Sequence, residues 1–155
     1  MTIIGIDPGY AILGWSVIDN NLLLIDYGTI NTCPDLSFDD RLLSIHNELL
    51  KIISRYRPNS AAIEKIYFSK NVKTALDVAK AIGVIRLTLT LSGLNIEEYT
   101  PVQVKQAITG FGKASKEQMQ VMIKKIFKLK DIPRPDDAAD ALAIAACHSF
   151  SNCRK

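Results

Sequence analysis

Four acids stand where apolar or small residues would ordinarily be placed. Their contexts are Thr2-Ile3-Ile4-Gly5-Ile6-Asp7-Pro8-Gly9, Ala61-Ala62-Ile63-Glu64 and Pro135-Asp136-Asp137-Ala138-Ala139-Asp140-Ala141-Leu142. A carboxylate in such surroundings is costly unless hydrogen-bond donors or a cation compensate it. No matched set of arginines accompanies the four, so the expected compensation is a metal ion. Oxygen-only ligation favours Mg²⁺, with Mn²⁺ as a substitute, over zinc. Two such ions roughly 4 Å apart can activate a water and stabilise the leaving oxygen of a phosphodiester. The chemistry indicated is metal-assisted hydrolysis, and a nuclease before other hydrolases. Taken singly, Asp7 sits in a common turn sequence, and the Asp137/Asp140 pair resembles ordinary helix capping. Glu64 is the more telling acid, because it ends a buried apolar run. Asp136, beside the pair, reads as a helix cap rather than a fifth ligand.

Other chemistry is excluded or weak. Gly110-Phe111-Gly112-Lys113 lacks the glycine spacing of a nucleotide-binding loop, so no nucleotide cofactor is expected. It reads instead as a basic loop whose backbone N–H groups and Lys113 can touch phosphate. Cys33, Cys147 and Cys153 form no C-x-x-C pair, which excludes a disulfide framework. Cys147-His148 with Cys153 lacks a fourth zinc ligand. A reducing, cytoplasmic setting follows. No apolar run is long enough to span a bilayer, and the N-terminus has no signal-peptide pattern. His46 and His148 read as packing or surface residues, and Trp15 as a core residue.

The net charge of +3 says little, but its distribution says more. Residues 1–40 carry Asp7, Asp19, Asp26, Asp35, Asp39 and Asp40 with no Lys or Arg. Residues 101–134 carry Lys105, Lys113, Lys116, Lys124, Lys125, Lys128, Lys130 and Arg134 against Glu117 and Asp131. Once cations neutralise the acids, the remaining surface is basic, which fits an anionic partner or simply solvated lysines on helix faces.

The elements that must position these groups are legible from periodicity and punctuation. Thr2–Asp7 is a buried strand ended by Pro8-Gly9. Leu13–Ile18 and Leu22–Ile30 flank the turn Asp19-Asn20-Asn21, so three antiparallel strands come first. Ser37 caps a helix running to about Arg57, stopped by Pro58. Ser60–Glu64 is a short strand, Val72–Leu91 a long helix, and Asn95–Tyr99 another strand. Thr100-Pro101-Val102-Gln103 and Ser115-Lys116-Glu117-Gln118 are capping boxes opening two further helices. The last helix opens near Asp136 and runs through Phe150. The order βββ-α-β-α-β-α-α-α makes one α/β domain, a five-stranded mixed sheet with helices on both faces. The helix Val72–Leu91 is apolar nearly all round and must be covered on both sides, by its own chain or by a second subunit.

Together these segments resemble the RuvC family of Holliday junction resolvases. The matching stretches are Gly5-Ile6-Asp7-Pro8-Gly9, Ala62-Ile63-Glu64 followed by Lys65-Ile66-Tyr67-Phe68-Ser69-Lys70-Asn71, and Pro101-Val102-Gln103-Val104-Lys105-Gln106. Gly110-Phe111-Gly112-Lys113-Ala114-Ser115-Lys116 and Asp137-Ala138-Ala139-Asp140-Ala141-Leu142 complete them. They fall in the family's order along the whole chain.

The resemblance implies a ribonuclease H-like fold and a structure-selective endodeoxyribonuclease making paired nicks in four-way junction DNA during recombination and repair. It implies that Asp7, Glu64, Asp137 and Asp140 hold two Mg²⁺ ions and carry the hydrolysis. Lys105 and Lys116 would contact DNA near the scissile phosphate, and Tyr67 would stack at the opened crossover. It further implies a homodimer through the helix Val72–Leu91, with a branch-migration complex as a candidate partner. The chain departs from the family mildly at Tyr67, where members often have Phe, and in two further stretches. Ala79-Lys80-Ala81-Ile82-Gly83 stands where members often read Gly-Gln-Ala-Arg-Gly, and Ser115 stands where an acid usually precedes the lysine. Two other readings stay open: a nuclease of broader branched-DNA specificity, and a non-catalytic junction-binding protein. A sugar-kinase or actin-like ATPase also begins Gly-Ile-Asp-x-Gly but needs two such domains, which 155 residues do not supply.

Overall fold

The computed structural model describes residues 1–66 and 72–152. Tyr67 lies outside the described residues. Among the described residues, five strands and five helices follow in the expected order: β1 (Thr2–Asp7), β2 (Ile12–Asp19), β3 (Leu24–Asn31), α1 (Phe38–Tyr56) and β4 (Ser60–Glu64). Then come α2 (Val72–Leu91), β5 (Asn95–Tyr99), α3 (Pro101–Thr109), α4 (Lys116–Ile126) and α5 (Asp136–Asn152).

The sheet order is β3-β2-β1-β4-β5. The first three strands pair antiparallel, whereas β1, β4 and β5 run parallel. Strand β3 begins two residues later than its apolar run suggests. The Asp19 carboxylate accepts from the Asn21 and Leu23 N–H groups, each at 2.8 Å, and Leu22 takes φ 61°. That side-chain turn keeps residues 20–23 out of the ladder.

The helix starts follow their caps. Ser37 accepts from the Asp40 N–H, and Thr100 and Ser115 each form a reciprocal capping box, with Gln103 and Gln118. Each such cap stabilises its helix by about 1 kcal/mol. Arg57 closes α1 in the left-handed region, its N–H bonded to the Ile53 carbonyl.

Alternation along the strands divides the core in two. Ile3, Ile18 and Ala62 pack with α3, α4 and α5. Ile4, Ile6, Leu13, Val17, Ala61 and Ile63 face α1 and α2. On the first face, α5 lies unusually close to the sheet. A Cβ on Gly5 would meet the Ala141 carbonyl and Ala145, and one on Gly14 would meet the Asp137 carbonyl. Ser16 Oγ donates to the Ala141 carbonyl at 2.9 Å, fixing the helix against β2. The small side chains of Ala138, Ala141 and Ala145 permit this approach, and all three are buried.

The other end of α5 is held by a buried polar network. His148 reaches Ser60 Oγ at 3.1 Å, the Tyr99 hydroxyl at 2.8 Å and Asn152 Nδ2 at 3.0 Å. It ties the helix to β4 and β5, which makes it the packing residue expected. Trp15 is half-buried and packs against Tyr56.

Candidate active site

The same alternation that sorts the core aims the acids. Ile3 and Gly5 face α5, so Asp7 at the end of β1 faces α5 as well. Ala62 faces α5, and so therefore does Glu64 at the end of β4. The parallel register pairs Gly5 with Ala62 and Ile6 with Ile63. One step further brings Asp7 beside Glu64, one strand spacing of about 4.8 Å apart in backbone. Asp137 and Asp140, three residues apart in the first turns of α5, share a helix face. The Gly14 contact sets the Asp137 backbone directly over β2. All four predicted acids thus converge at the carboxyl ends of the two central parallel strands, where open α/β sheets place their sites.

Electrostatics bind the four into a group. Burial is the main cause that lifts the Asp7 pKa from 3.8 to about 8, followed by the charges of Glu64, Asp140 and Asp137. Glu64 is raised by burial and then by Asp140, with Lys105 opposing. Asp140 is raised chiefly by burial, against the lowering effect of Lys116. Among the described residues, no three acids, histidines or cysteines are close enough to form a ready-made metal cluster. The four are coupled through charge across a hollow rather than by shared short contacts. The donors are carboxylate oxygens alone, and their repulsion is what a hard divalent cation relieves, so the set fits Mg²⁺ or Mn²⁺ in kind.

The hollow has a volume of about 220 Å³ and is lined by Glu64, Asp140, Lys105 and Lys116, with Pro101, Val104, Met119 and Ala143. Lys105 is placed by the Thr100 capping box one turn upstream, and Lys116 is the first residue of α4. Both lysines line the hollow beside Glu64 and Asp140. Lys113 does not join them: it is exposed in the α3–α4 turn and does not line the hollow. A larger hollow of about 410 Å³ beside Phe111 and Met122 is mostly apolar, with Glu117 as its only acid, and lacks this chemistry.

Sequence reasoning misread one neighbour. Asp136 does not stand before α5 as its cap; it is the helix's first residue. Its carboxylate meets Lys116 Nζ at 3.0 Å, Gln120 Nε2 at 3.1 Å and Arg134 Nη1 at 3.7 Å. Gly14 was missed altogether, although a glycine inside a strand is a signal of close backbone approach.

A mixed five-stranded sheet with acids at its central strand ends defines a ribonuclease H-like nuclease. The comparisons with known proteins narrow this. The family model for "Crossover junction endodeoxyribonuclease RuvC" matches residues 3–148. A RuvC from Halothermothrix orenii is 51% identical over 97% of this chain and 93% of its own length. One from Ruminiclostridium cellulolyticum is 49% identical over 98% and 93%. The structure of T. thermophilus RuvC in complex with Holliday junction substrate superposes with TM-score 0.93 at 35% identity, covering 98% of this chain and 94% of that one. The chain belongs to the RuvC family of crossover junction endodeoxyribonucleases. Among the described residues, no helix is long and apolar enough to cross a membrane.

Proposed function

We propose that this chain acts as a homodimer on four-way junction DNA, making paired symmetrical nicks with Mg²⁺ held by Asp7, Glu64, Asp137 and Asp140. The observation that carries this is the convergence of the four acids, Asp7 and Glu64 from the paired ends of β1 and β4 and Asp137 and Asp140 from the head of α5 seated on Gly5 and Gly14, in a chain of this family. Bound Mg²⁺ supplies charge neutralisation at the scissile phosphodiester and activation of water. The protein's own part is positional. Asp7 and Glu64 are fixed by the β1–β4 ladder, and Asp137 and Asp140 by the close seat of α5 on Gly5 and Gly14. Lys105 and Lys116, at the rim, offset the charge of the DNA backbone and the charge that develops at phosphorus. Lys113, on the exposed turn, serves as a peripheral phosphate contact. Tyr67, by resemblance, stacks on bases at the opened crossover.

The second subunit is proposed on α2. Leu76, Leu87 and Leu91 are exposed along one face of that helix. Gly83 lies on the same face with open space where a Cβ would be. An apolar stripe of this kind is what an interface covers. The junction named for the bound T. thermophilus relative, together with 35% identity over nearly the whole chain, supports the substrate. Cleavage of a labelled four-way junction tests the reading. Wild type nicks two opposed strands only with Mg²⁺ or Mn²⁺, and Asp7→Asn binds the junction but does not cut it. Cutting by Asp7→Asn at the wild-type rate refutes the assignment of the acids. Equal cutting of flaps and forks favours the broader branched-DNA reading.

A further inference from the structure

Lys116 is surrounded by more acids than it pairs with. Its ammonium feels Asp140, Asp136 and Asp137, and in turn lowers the pKa of Asp7. Among the described residues, however, the carboxylate it meets within ion-pair distance is that of Asp136, at 3.0 Å. The pairing is built from both sides. Gln120, one turn along α4 from Lys116, donates its Nε2 to Asp136 Oδ1 at 3.1 Å. Arg134 approaches the same oxygen at 3.7 Å from the segment leading into α5. Two residues of α4 therefore grip one carboxylate at the head of α5, and the ion pair spans the rim of the hollow.

A lysine is a compact charge on a flexible four-carbon stem and goes where carboxylates are densest unless something holds it. Released, Lys116 would fold inward onto Asp140 and its neighbours. There its ammonium would take the place of a divalent cation. We propose that Asp136 is a positioning residue that holds the Lys116 ammonium at the rim of the hollow, off the catalytic carboxylates and toward the path of the DNA backbone. This rests on the metal-binding reading of the four acids.

The test is Mn²⁺ binding to DNA-free protein, followed by electron paramagnetic resonance, so that it does not depend on turnover. In Asp136→Asn the shape and the Gln120 bond are kept while the charge is lost. Its Mn²⁺ affinity should fall about fivefold, the upper range for a half-exposed ion pair. Asp136→Glu should restore most of the loss. In a Lys116→Met background the same Asp136→Asn change should alter affinity by less than about twofold, because only a screened charge at the rim remains. Wild-type affinity in Asp136→Asn would overturn the proposal. So would an equal loss with and without Lys116, which would make Asp136 a partner of the metal itself. If wild type binds no Mn²⁺ while Asp7→Asn behaves identically, the metal reading fails, and this inference falls with it.

Discussion

Asp7→Asn should stabilise the metal-free protein while destroying its chemistry, and the size of the gain follows from the Asp7 environment. The unfolded chain releases this proton near 3.8, whereas the folded chain holds it to about 8. Below the lower value Asp7 is protonated in both states, and it has no effect on stability. Between the two the folded state binds the extra proton, so stability falls as pH rises, by about 1.4 kcal/mol per pH unit. At pH 7 the accumulated penalty is about 4 kcal/mol for an isolated group. Glu64 and Asp140 are raised in the same field, so the protons are shared across the cluster. The expected gain of Asp7→Asn is then about 2–4 kcal/mol at pH 7. The assay is urea unfolding of both proteins in a chelator, followed by circular dichroism, at pH 4 and pH 7. The variant should be the more stable at pH 7 and no more stable at pH 4. Saturating Mg²⁺ should raise the wild type by about 2.7 kcal/mol at a hundredfold excess over its dissociation constant. The variant should respond far less. An Asp7→Asn protein that is less stable than wild type at pH 7 in chelator, or equally favoured at pH 4, refutes the reasoning.

Three further outcomes are expected. Gly14→Ala puts a Cβ against the Asp137 carbonyl, so α5 must move by about 1 Å. Denaturation should show a loss of about 1–3 kcal/mol, and junction cleavage should fall about 100-fold. Leu87→Asp, on the exposed stripe of α2, should convert a dimer to monomers in sedimentation and uncouple the two nicks of a junction. Lys105→Ala should lower the slope of log affinity against log salt for junction binding by about one, with little change in preference among junction sequences.

The elements were legible because each carries its own punctuation. Ser37, Thr100 and Ser115 announce three helices, and β1 and β4 are short apolar runs bounded by turn residues. The four acids were legible for the opposite reason, being polar residues in apolar settings. The relations between elements were harder to see. Nothing local in Asp136 says that its carboxylate turns toward α4 rather than its own helix; that depends on how α4 and α5 meet. Gly14 likewise looks like a weak strand residue until the helix crossing above it is known. The start of β3 was misplaced because the Asp19 side chain, not the apolar pattern, decides where the ladder begins.

The sheet acts as a partition between two jobs. One of its faces carries α3, α4 and α5 with the acids and lysines, and the other carries α1 and α2 with the uncovered leucine stripe. If two copies meet on the exposed leucines of α2, as proposed, substitutions along that stripe would re-aim one copy against the other while leaving the acids on the opposite face of the sheet where they are.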